Sequence, residues 1–266
     1  MSRFLNLATI MSTPTPRSLE MAREAGFAGI EARAERLLED AGEVAATAGI
    51  VRPTEVWSLN GVRITLHADG ALHREQLEAD LTPRIEVCRA IGASYLLAVP
   101  PRLAGVGEAQ ASAGIRDGLS LAAERAGRAG VGVAFEFLGF PDCPIRTPDA
   151  AGRIVDDLDG VNLVLDSCHW HASGSGSLDG LPVDRLAMVH LNDAPDKPPA
   201  DVEDSDRVLP GLGVIRLAEL VAALRDRGYD GPWSLETFNP DYWEQDAAMV
   251  ARSGAAALAA LLDGTG

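Results

Sequence analysis

VNLVLDSCHWHASG, residues 161–174, opens on an apolar run, stops on Asp166 and continues through a thiol and two imidazoles. A short apolar run without regular polar alternation is the pattern of a strand buried on both faces, as in parallel sheets. The stretch before it, TPDAAGRIVDDLDG (147–160), has the period of an amphipathic helix. Thr147 suits the N-cap, Pro148 the first helical position and Gly160 the end. The unit is therefore helix, glycine, strand.

The unit recurs along the chain. Apolar runs stand at FLNLATI (4–10), FAGIEA (27–32), VWSLNG (56–61), SYLLAVP (94–100), VGVAFEFL (131–138), LAMVHLN (186–192) and PWSLETF (232–238), making eight with VNLVLDS. Helical stretches lie between them, among them SLEMAREAGF (18–27), LTPRIEVCRAIGA (81–93), LSLAAERAGRAG (119–130) and RLAELVAALRDRGYDG (216–231), most with a glycine close behind. Eight such units in 266 residues predict an α/β fold, a (β/α)8 TIM barrel with residues 1–266 as one domain. A doubly wound open sheet is the alternative. No GxGxxG or GxxxxGK[ST] follows any strand, which disfavours its nucleotide-binding form.

Composition excludes several function classes. With 23 basic against 39 acidic residues, the net charge of −16 repels nucleic acid phosphates and anionic membranes, so neither is an expected partner. Cys88, Cys143 and Cys168 are odd in number and widely spaced, which argues against a disulfide framework and for a reducing, cytoplasmic location. Neither the N-terminal MSRFLNLATIMSTP nor the C-terminal GAAALAALL reads as a signal or an anchor. The longest irregular stretch, NDAPDKPPADVEDSDRVLPGLG (192–213), is of a length that is more often functional than idle.

Barrel enzymes carry their chemistry at the C-terminal ends of strands. Here the last four strands finish on Glu136, Asp166, His190 and Glu236. Three carboxylates and an imidazole suit one divalent ion such as Mn, Zn, Co or Mg, with open positions for substrate. Each acid alone would pass as a helix cap or an ion-pair partner; four on consecutive strands point to a metal site. His169 is placed to bond substrate, and Arg207, in the long loop, to fold over the mouth. Glu31, Asn6 and Asn60 end early strands and are candidates for the pocket lining, while His171 is either a residue that orients a ligand or an ordinary loop histidine. Cys168 reads as an apolar wall residue. Lys197, the only lysine, lies in a Pro-flanked acidic loop, which removes Schiff-base chemistry.

EAGFAGIEAR (24–33), CRAIGASYLLAVP (88–100), AFEFLGFPDC (134–143), LVLDSCHWHASGS (163–175), VHLNDAPD (189–196), DSDRVLPGLGVI (204–215) and SLETFNPDYW (234–243) together resemble the xylose-isomerase-like TIM barrels. Within that superfamily the similarity is to the inosose (2-keto-myo-inositol) isomerase family. The resemblance implies that Glu136, Asp166, His190 and Glu236 bind one divalent metal and that Glu136 and Glu236 also move protons. It further implies that His169 and Arg207 contact substrate. The implied reaction shifts a carbonyl between adjacent carbons of a polyol or keto-sugar, most nearly a keto-inositol, through an enediolate, in a cytoplasmic enzyme with a possible homo-oligomeric state. An inosose or 3-dehydroshikimate dehydratase and a ketose 3-epimerase are the alternatives that the same metal site would serve.

Overall fold

Eight parallel strands pair in chain order, and the last closes on the first: β1 (Arg3–Asn6), β2 (Gly29–Arg33), β3 (Val56–Arg63), β4 (Tyr95–Val99), β5 (Gly132–Glu136), β6 (Val161–Asp166), β7 (Leu186–Leu191) and β8 (Trp233–Leu235). This computed structural model describes residues 1–264; the last two positions of the domain expected from the sequence lie outside the described residues. Outward-facing Leu5, Ile30, Val133, Leu163 and Val189 pack against Leu19, Leu77, Ile115, Ile154 and Leu220 of the surrounding helices in one continuous cluster. Each fully buried side chain of this size contributes roughly 1.5–3 kcal/mol.

Strand periodicity sets what faces the barrel axis. Phe4, Trp57, Leu97, Ala134, Val164 and Met188 fill the interior as a separate cluster. Two residues further along β1, β5, β6 and β7 come Asn6, Glu136, Asp166 and His190. Side chains two apart share a face, so these polar groups form the layer above the apolar plug, at the C-terminal end of the barrel. The register agrees, with Asp166 opposite His190 across the β6–β7 pair.

Elements differ from the sequence expectation in three places. Strand β1 ends at Asn6, because the Asn6 side chain accepts from the Ala8 amide and starts a 3-10 turn over Leu7–Ile10. The helix around CRAI runs from Arg74 to Ile91 and carries Pro83 in its interior. Two helices the sequence reading left out, Ala34–Glu39 and Ala41–Ile50, follow β2; the signal was Asp40, whose carboxylate caps the amides of Gly42 and Glu43.

The C-terminal apolar stretch belongs to a longer helix, Ala247–Gly264, whose mean hydropathy of 1.2 and 18-residue length would by themselves suffice to cross a membrane. Its Val250, Ala251, Gly254, Leu258 and Leu262 are instead buried on the barrel. A Cβ at Gly254 would stand 2.1 Å from the Leu235 side chain, so the glycine is what lets this helix approach β8.

Candidate metal centre

Glu136 is the last residue of β5 and Asp166 the last of β6, His190 is the next-to-last of β7, and Glu236 directly follows β8. One ligand atom from each lies within 4.8 Å of all the others, and all four residues are buried. His190 Nδ1 stands 3.1 Å from Glu236 and 3.4 Å from Glu136, while its Nε2 stands 3.1 Å from Glu31.

Two of the three carboxylates in this group are held from outside it. Asp166 caps the short helix Ser167–Ala172 through the His169 amide at 2.8 Å, and its other oxygen accepts from Asn192 Nδ2 at 2.6 Å. Asn192 is in turn fixed by Ser167. Glu236 accepts from Asn6 Nδ2 at 2.8 Å and from Arg207 at 2.8 Å. Glu31 accepts from Ser58 at 2.8 Å, and Asn60 donates to the same Ser58 hydroxyl.

Among the described residues, two atoms of these four side chains have no hydrogen-bond partner: Glu136 Oε1 and His190 Nδ1. Once deprotonated, both can donate an electron pair to a cation. Orphaned buried polar atoms of this kind are costly. Carboxylate oxygens and one imidazole nitrogen are the donors that hard and borderline divalent ions take, so the residues fit such an ion.

The electrostatics point the same way. Burial, together with the charges of Glu236 and Asp166, raises the Glu136 carboxyl to about 8 against the partial relief from His190. Burial would lower His190, yet the charges of Glu31, Glu236 and Glu136 hold it well above its ordinary value. Burial also works against ionisation of Glu236, but His190, Arg207 and Arg33 more than offset it and keep that carboxylate below its usual range. Glu31, Glu136, Asp166 and Glu236 are all buried, with protons on Glu136 and His190 and the guanidinium of Arg207 offsetting part of their charge; a divalent cation would take the place of those protons.

Above this layer opens a cavity of about 350 Å³, lined by Glu136, Glu236, His169, Arg207, Asn60, Arg33 and Phe238 among others. The long loop after β7 supplies Arg207. Asp193 bridges back to Val208 and accepts from the amides of Gly211 and Ile215, and the 3-10 turn Asp204–Asp206 then aims Arg207 inward. Its guanidinium is 1% exposed and reaches Asp166, Glu236, Asp204 and His169. Burial and the Arg207 charge lower His169 to about 3, so it is neutral and its Nε2 accepts from Arg207 at 3.0 Å.

The sequence candidates thus divide. Glu136, Asp166, His190, Glu236, His169 and Arg207 come together at one point, and Asn60 lines the same cavity. Glu31 is not among the lining residues; it is fully buried behind His190. His171 also lies outside the lining, and Cys168 is buried with its thiol raised by burial to about 12. Ser58, Asn192 and Arg33 were missed. For Asn192 a signal existed, since it follows His190 by two positions and shares its strand face.

The family described as xylose isomerase-like TIM barrel matches residues 19–261. Inosose isomerase of Bacillus velezensis is 31% identical over 261 residues, covering 92% of this chain and 90% of that enzyme. A 3-dehydroshikimate dehydratase of Pseudomonas putida is 27% identical over 97% of this chain, which spans 41% of that enzyme. Among solved structures, the IolI protein with a bound zinc atom superposes at a TM-score of 0.90, with 26% identity, over 100% of this chain and 99% of that one.

Proposed function

The chain belongs to the xylose isomerase-like TIM barrel family, and from that premise we propose that it is a divalent-metal-dependent isomerase of cyclitols, moving a carbonyl between adjacent carbons of a keto-inositol. The observation that carries the reading is the convergence of Glu136, Asp166, His190 and Glu236, with two of their donor atoms unpaired, beneath a cavity that Glu136 and Glu236 line together with Arg207 and His169.

Those four residues would hold the ion. When bound, a divalent metal supplies Lewis-acid polarisation of a substrate carbonyl and its neighbouring hydroxyl. The native ion, whether Mn, Zn, Co or Mg, remains part of the proposal.

The remaining work falls to the chain. Glu136 and Glu236 flank His190 Nδ1, and both line the cavity. One carboxylate removes the proton alpha to the carbonyl, the other carboxyl returns a proton to the former carbonyl carbon, and the neighbouring hydroxyl's proton passes to the former carbonyl oxygen, so that the two groups exchange places. Acid–base help of this kind contributes roughly 10²- to 10⁴-fold. Arg207 is fully charged and offers donors to substrate oxygen; neutral His169 and Asn60 bond the remaining ring hydroxyls. Glu31 holds the His190 ring by accepting from Nε2, which leaves Nδ1 as the ligating atom. With Cys88, Cys143 and Cys168 free and buried, a reducing cytoplasmic setting fits.

Similarity to 3-dehydroshikimate dehydratase supports a second reading, in which the same proton removal is followed by loss of a beta hydroxyl. Incubation of the metal-loaded enzyme with a keto-inositol in heavy water separates the two. Deuterium uptake with all oxygens retained is the isomerase outcome, and a product lighter by one water is the dehydratase outcome.

A further inference from the structure

Arg102 lies in the loop after β4, outside the cavity lining, yet it touches three residues on two other loops of the site's roof. Its Nε stands 2.9 and 3.0 Å from the Asp142 carboxylate in the loop after β5. Its Nη1 and Nη2 take the two oxygens of Glu203, in the loop after β7, at 2.7 and 3.1 Å. The guanidinium also covers the Phe140 ring at 4.2 Å, and that ring meets His169 edge-on at 5.0 Å.

Glu203 is the N-cap of the turn Asp204–Asp206, closed reciprocally with Asp206, and Arg207 follows it directly. We infer that Arg102 is a positioning residue: by clamping Glu203, Asp142 and Phe140 with one planar guanidinium, it sets where Arg207 and His169 stand over the Glu136–Asp166–His190–Glu236 group. Partly exposed ion pairs such as these add little to global stability. Their consequence is geometric, because a fork engaged on two carboxylates fixes direction as well as distance, and lysine cannot reproduce it.

The kinetic half of the test rests on the proposed isomerase activity, and the other half does not. Hydrogen–deuterium exchange is compared for wild-type protein, Arg102→Ala, Arg102→Lys, Glu203→Gln and the Arg102→Ala/Glu203→Gln double variant. The same proteins are assayed with manganese and a keto-inositol. The expected result is exchange roughly 10-fold faster across residues 199–208 in every variant, with the barrel strands unchanged. Turnover falls roughly 10-fold while KM stays within about twofold, and the double variant is no worse than Arg102→Ala alone.

Unchanged exchange over 199–208 overturns the clamp, as does faster exchange with wild-type turnover or full rescue by Arg102→Lys. If Arg102→Ala fails to fold, Glu203→Gln, a near-isosteric change, reads the same coupling from the other end. If wild-type protein is inactive on the keto-inositol, the proposed function falls and the exchange comparison alone upholds or overturns the clamp.

Discussion

His190 Nε2 and the Glu31 carboxylate, 159 residues apart in the chain, meet at 3.1–3.2 Å in the barrel interior. Glu31 would thereby select the imidazole tautomer once metal binding displaces the second ring proton: the proton kept on Nε2 is donated to Glu31, and Nδ1 offers its electron pair between Glu136 and Glu236.

From this contact follows a graded loss of metal. His190→Ala is expected to lose most bound metal by elemental analysis. Glu31→Ala keeps all four ligands and is expected to weaken metal binding by roughly 10- to 100-fold in a chelator-competition titration. Unaltered affinity in Glu31→Ala would return Glu31 to a purely structural role.

Arg207→Ala is expected to impair turnover and also to destabilise the metal-free protein. A loop arginine at the surface would cost almost nothing in stability, but Arg207 is buried against Asp166 and Glu236. Breaking one side of a buried ion pair costs about 3–5 kcal/mol. Urea denaturation of the metal-free and metal-loaded variant measures it. The deficit should shrink with metal bound, since the ion takes over part of the lost compensation.

The pH dependence of metal-free stability has a defined sign between pH 6.5 and 8. Glu136 titrates at about 8 in the fold, against 4.5 as its ordinary value, so folding favours its protonated form and stability falls as pH rises. His190, raised above 6.5 by its carboxylate neighbours, contributes stability that is likewise lost with rising pH. His169, lowered to about 3, loses its contribution only as pH falls below 6.5, and so does not oppose them in this window. Thermal melts of metal-free protein should therefore show Tm falling from pH 6.5 to 8. Metal binding must displace the protons of Glu136 and His190, so it should release protons and strengthen over the same range. Proton release is read by calorimetry in buffers of different ionisation enthalpy.

How far the sequence could be read follows from which information is local. Apolar runs, glycine stops and the polar residue ending each late strand lie within a few positions of one another, so the barrel and the positions of Glu136, Asp166, His190 and Glu236 were legible. The placing of Glu31 behind His190, of Asn6 on Glu236 and of Asn192 on Asp166 depends on closure of β1 against β8 and on strand register, which no local pattern encodes. Arg207 stood out only as a residue of a long loop; its burial arises because Asp193 and the turn at 204–206 fold that loop back over the barrel. The helices over 34–50 were not legible for a different reason: the first, AERLLE, is only six residues long, and the second is rich in alanine with a weak apolar stripe.

The central claim is that Glu136 and Glu236 carry a proton between adjacent carbons of a ketone bound at the metal centre. Mass spectrometry and NMR of a keto-inositol turned over in heavy water test it most directly. Deuterium should enter at carbons flanking the carbonyl with every oxygen retained, should vanish in Glu136→Gln and in Glu236→Gln, and should return to chelated wild-type enzyme on adding manganese. A product lighter by one water would assign the chain to the dehydratases, and no label uptake by the metal-loaded wild-type enzyme would contradict the account.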